Sequence, residues 1–216
     1  MSLFGKKEKK YHDSVEIQRK SVFELESAEL CNLALDGLDC DQLPNSRGEF
    51  GKFHRNPILT NGINGTLIYL SKLMVDSTKA NLFFHKLGSI PNVITQVGSI
   101  DIYETLDENG NIWDILFIDM YHPRRSNIAP KGYSFIEKTD PYETDRNNAF
   151  GSYHYCAKFP NGLPTLLISD NNPRYAVVEK MLEQLIRDRK TLIRPEEHQN
   201  KVDSILAMLK TLEEEH

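Results

Sequence analysis

The densest group of reactive side chains in this sequence runs from Asp119 through Tyr121 and His122 to Arg124 and Arg125. A carboxylate and an imidazole three residues apart can act as acid and base or as two metal ligands, and guanidinium forks grip phosphate or carboxylate in pairs of hydrogen bonds. Pro123 holds His122 in extended geometry. Neighbouring residues of an extended backbone point in opposite directions, so only one of Arg124 and Arg125 faces a site built here. The expectation is an anion-recognising edge formed by Asp119, His122, Arg124 and Arg125 rather than a catalytic centre. The plainer alternative is that one arginine pairs with Asp119 or Glu104 for structure alone.

Secondary candidates are His54 and Arg55 in a Gly- and Asn-rich loop, His85 in an apolar run, and His154 two residues before Cys156. A lone histidine in a run such as Asn81 to Leu87 is more often hydrogen-bonded in a core than reactive, and two ligands on one strand do not make a metal site without further partners. No metal and no cofactor are expected. There is no GxSxG elbow, HExxH, GxGxxG, P-loop or paired CxxC.

These residues must be positioned by a β-hairpin. Asn109-Gly110 sits between two β-rich runs, and a type I′ turn there needs φ > 0 at both central residues. A two-residue loop then sets Leu106 opposite Trp113, Glu104 opposite Ile115 and Ile102 opposite Phe117. One face carries Ile100, Ile102, Leu106, Trp113, Ile115 and Phe117 with Glu104 among them, and all three residues of the second strand are expected to be buried. The other face becomes apolar towards Met120, as for an interior strand.

A second hairpin is expected across 150–169 around Pro160-Asn161-Gly162, with His154 and Cys156 on one face and Tyr153 and Tyr155 on the other. Helices are predicted over Ser21 to Leu35 and over Thr66 to Val75, the latter capped by Asn64. The tail reads as a helical pair within 173–213, opening at Pro173 and Pro195, with apolar stripes that meet each other or the sheet. Exposure of the stripe Val202, Ile205, Leu209 and Leu212 would instead mark a protein partner or homodimer surface. The fold class is α+β: an antiparallel sheet built on the hairpins 98–121 and 150–169, packed N-terminal helices and the C-terminal pair. Residues 1–11 form a flexible basic arm and 12–216 a single domain.

With 39% hydrophobic and 26% charged residues, 216 residues are enough for one substantial core. No apolar run approaches the roughly 20 residues that span a bilayer, so no membrane insertion is expected. A net charge of −5 disfavours nucleic acid as a partner. Three cysteines without a pairing pattern, and a basic start lacking an apolar segment behind it, suit a cytoplasmic protein. The function these readings favour is a binding or protein-interaction module with an anionic small ligand. The alternative is a small hydrolase or transferase acting on an anionic substrate through Asp119, His122 and the nearby arginines.

Overall fold

The computed structural model describes residues 41–43, 46–96, 98–122, 125–136, 151–163, 175–188 and 192–214. Its centre is the expected hairpin. Strand β4 (Ser99–Asp107) pairs antiparallel with β5 (Trp113–Asp119) in the register Leu106 to Trp113, Glu104 to Ile115 and Ile102 to Phe117. The turn differs from a type I′ turn, because Gly110 has φ 72° while Asn109 keeps a negative φ. Asp107 closes the loop instead. Its carbonyl accepts the Gly110 N–H at 2.8 Å, and its carboxylate accepts the N–H groups of Asn111 and Ile112 at 2.6 and 2.8 Å. Lengthening the loop symmetrically leaves both faces of the hairpin unchanged.

Strand β3 (Leu82–Pro91) adds antiparallel to β4, with a bulge between Lys86 and Gly88. At the opposite edge the two-residue strand β1 (Ile58–Leu59) runs parallel to β5, giving the order β1-β5-β4-β3. The sheet is therefore antiparallel but for one short edge, and among the described residues β5 has a strand on both sides only at Ile118 and Asp119.

Helix α1 (Gly62–Lys72) begins four residues before the predicted start, with Asn61 rather than Asn64 at the cap position. The Gly62 N–H donates to the Met120 carbonyl, so the exit of β5 fixes where the helix opens. The predicted helix end is a strand instead. Residues Leu73–Val75 (β2) pair antiparallel with Tyr133–Phe135 (β6), and Leu73 and Val75 are buried on alternate positions as a strand requires.

Both faces of the sheet are covered. On one, Tyr103, Leu116 and Ile118 pack with Tyr69 and Leu70 of α1 and with Leu73, Val75 and Tyr133. The other is covered by the C-terminal pair, α2 (Tyr175–Asp188) and α3 (Glu196–Glu214). Leu182 and Leu185 meet Phe83 and Leu106, whereas Val202 with Ile205, Leu206, Leu209 and Leu212 meets Ile100, Ile102 and Ile115. The α3 stripe is thus occupied by the sheet. Gly88 permits this approach, since a Cβ there would stand 2.4 Å from Leu209 Cδ1.

The described part of the second expected hairpin, 151–163, is not a strand. Ser152 makes one isolated bridge to His85, and the chain then coils through hydrogen bonds from Phe159 N–H to Cys156 O and from Gly162 N–H to Lys158 O. The cause is the spacing of its apolar anchors: Cys156, Phe159 and Leu163 all enter the cluster with Phe83 and Leu106, which a two-residue period cannot arrange. His154 is consequently exposed and Cys156 buried, not on a shared face. The returning half 164–169, the helix at 21–35 and the arm 1–11 lie outside the described residues. Among those described, no helix is long and apolar enough to cross a membrane.

Candidate functional site

Asp119 and His122 lie inside the protein rather than on an open edge. Asp119 is 1% exposed; its Oδ2 accepts the Asn92 Nδ2–H at 2.9 Å and its Oδ1 the Tyr121 N–H at 3.0 Å. His122 is wholly enclosed, and its backbone N–H donates to the Thr60 carbonyl at 3.0 Å. Arg125 is half-buried, with Cγ against the first turn of α1 beside Gly65. Arg124 lies outside the described residues. The group thus gathers where β5 leaves the sheet and α1 begins, tied by backbone hydrogen bonds among Thr60, Asp119, Gly62 and Met120.

The secondary candidates fall in separate surroundings. His54 packs its ring 4.5 Å from Phe53 and 6.2 Å from Phe117, and burial followed by the Arg55 charge lowers its pKa. Arg55 is exposed, and so is His154, whose N–H donates to Ser152 Oγ at 3.1 Å. His85 is fully buried. Among the described residues, no group of three or more His, Cys, Asp or Glu could hold a metal ion.

What the fold does bring together is a set of groups around Glu104, at the centre of the sheet face that α3 covers. Arg194, in the link between α2 and α3, donates from Nε to Oε1 at 2.6 Å and from Nη2 to Oε2 at 2.8 Å. His198, in the first turn of α3, donates from Nε2 to Oε1 at 3.0 Å, and His85 of β3 from Nε2 to Oε2 at 2.6 Å. The tautomer of His85 follows from its other nitrogen, because Nδ1 accepts the Cys156 N–H at 2.9 Å and so the proton sits on Nε2. Its ring stacks on Phe159 at 4.2 Å and 7°.

Burial alone would push the Glu104 carboxyl up, but the hydrogen bonds from Arg194, His198 and His85 outweigh it and hold the group far below the usual carboxylate range. Each Glu104 oxygen receives two donors, which leaves the carboxylate charged and occupied. It positions its neighbours instead of taking protons. For His85 burial is the largest influence and lowers its pKa, while burial raises that of the Cys156 thiol, the reverse of what activates a nucleophile.

Beside this network a groove of about 640 Å³ opens between β5 and α3. Trp113, Ile115 and Phe117, the alternate residues of β5, line one side; His198, Lys201 and Ser204 of α3 line the other, with Lys52 also in the wall. Trp113 links groove and network. Its ring lies 5.5 Å from that of His198, and the Arg194 guanidinium stands over it at 5.8 Å. Phe117 and Trp113 are accordingly half-buried rather than enclosed, because among the described residues β5 has no second partner strand beside them.

No protein-family model, no curated protein and no solved structure matches this chain.

Sequence reasoning identified the Trp113, Ile115 and Phe117 face and placed Glu104 on it, but missed Arg194 and His198 as its partners. The available signal was Glu104 itself, since a carboxylate on an apolar face demands a cation to accompany it into the core.

Proposed function

We propose that the protein is a binding module whose ligand seat is the groove between β5 and α3, and that it accepts a compound with a flat apolar body. The observation that carries this reading is the groove itself. Its volume falls within the roughly 300–1,000 Å³ of small-molecule sites, and its aromatic and aliphatic floor is joined by a few convergent polar groups. The Glu104 tie supports the reading because it fixes His198 and the start of α3 against the sheet, so one wall is set before a ligand arrives.

The chain has a single tryptophan, and it lines this groove. Energy transfer from Trp113 to the neutral dye N-phenylnaphthylamine therefore reports occupancy directly. Saturable transfer is expected in the native protein and should be lost in Ser204→Phe, which fills the groove from an exposed helix position. Transfer that persists in a folded Ser204→Phe variant, or that never saturates, would refute the reading.

A further inference from the structure

Resting on that reading of the groove, we infer that its ligand is uncharged and presents one O–H or N–H group, as a phenol, an indole or a lactam does, to Nδ1 of His198. The charges of the lining offset one another. Lys52 stands 2.9 Å from Asp114 and Lys201 2.8 Å from Glu197, so each cation already has its anion. Glu197, Lys201, Asn200 and Ser204 are all exposed. Such groups keep water whether or not a ligand is present, and they select little between one ligand and another.

His198 differs from them. Its side chain lines the groove while only 7% exposed. Nε2 lies 3.0 Å from Glu104 Oε1, and a charged carboxylate can only accept, so the ring proton is fixed on Nε2. Nδ1 of the neutral imidazole is then an acceptor. Among the described residues it has no hydrogen-bond partner, and it is not sealed from solvent either. With Nε2 turned inward to Glu104, the other nitrogen is left on the side of the ring that faces the groove. A flat body lying on Trp113, whose ring is 5.5 Å from that of His198, takes solvent away from Nδ1. A ligand with a donor at its edge replaces the lost hydrogen bond. One without a donor leaves a buried acceptor bare, which is the loss by which polar sites reject close analogues.

Two pairs of compounds differ in the donor and in little else: β-naphthol and its methyl ether, and indole and N-methylindole. Each is titrated against N-phenylnaphthylamine bound to the native protein at about pH 8, above the ordinary imidazole range, with the emission of the directly excited dye reporting its release. The donor compound of each pair is expected to displace the dye at a concentration at least about tenfold lower than its methylated partner. Indole adds a control, because its N–H donates but its nitrogen does not accept. In folded His198→Phe, which keeps a ring and loses the acceptor, the preference should shrink to about twofold or less. Equal displacement within either pair, or a preference that survives in folded His198→Phe, would overturn the donor and leave the groove reading standing. If the dye itself shows no saturable binding, both fall.

Discussion

Glu104 and Arg194, ninety positions apart, meet through two hydrogen bonds of 2.6 and 2.8 Å that close a guanidinium fork onto a carboxylate with no exposed surface. The pair fastens the α2–α3 link to the middle of the sheet. Arg194→Ala leaves the carboxylate buried with two imidazoles for company, and it should lower unfolding free energy by about 3–5 kcal/mol in urea titration. A loss under about 1 kcal/mol would show that the link is held by apolar packing alone.

Acid should loosen the protein in two stages. The pKa of His85 is depressed in the fold, so as pH falls below the ordinary 6.5 the unfolded chain takes up a proton that the native one refuses. Glu104 is depressed too. Its contribution is complete above the ordinary 4.5 and drains away as pH falls through that value towards the folded pKa. Melting temperature should therefore decline gently from neutral pH and steeply below about 4.5, and His85→Asn should flatten the first stage. A flat profile down to pH 4 would contradict the assignment.

The half-buried setting of Phe117 limits what it contributes to stability. Phe117→Ala should cost only about 1–2 kcal/mol, against about 3–5 kcal/mol for Phe83→Ala, whose ring is fully enclosed. Chemical denaturation of the two variants side by side measures the contrast, and equal losses would place Phe117 in the core.

Two glycines predict losses of different size for one added methyl group. At Gly88 the new Cβ meets the tip of Leu209, a half-buried side chain able to give way, so Gly88→Ala should cost about 1 kcal/mol. At Gly151 it meets the Phe84 carbonyl oxygen and ring at 2.4 Å. That backbone has nowhere to go, and Gly151→Ala should cost about 3 kcal/mol by thermal unfolding.

The legible parts of this sequence are those governed by a short period. Alternation on either side of Gly110 determined which residues share a face with Trp113 and their cross-strand partners, even though the turn is closed by the Asp107 side chain. Helical spacing likewise marked Leu182, Leu185 and Val202. Glu104 announced that it needed a cation, but the sequence offers 26 lysines and arginines, and nothing local distinguishes Arg194 among them. Pairings across 90 and 94 positions leave no trace in either period. The stretch 151–163 misled for a related reason, because Tyr153 and Tyr155 resemble strand residues while Cys156, Phe159 and Leu163 are the ones that anchor it. Asp119 and His122 sit at the strand end, as the hairpin required, yet enclosure by Asn92 and the loop before α1 is a tertiary fact.

The non-local reach of Glu104 also orders events as the polypeptide is made and folds. Strands β3 and β4 can pair early, since His85 is only 19 positions from Glu104, but the carboxylate keeps its water until residues 194 and 198 arrive. Sealing the sheet any sooner would strand a charge in the core, so collapse of that face waits for the last helix. Until α3 is synthesised, the apolar face that it covers stays open to association with other chains.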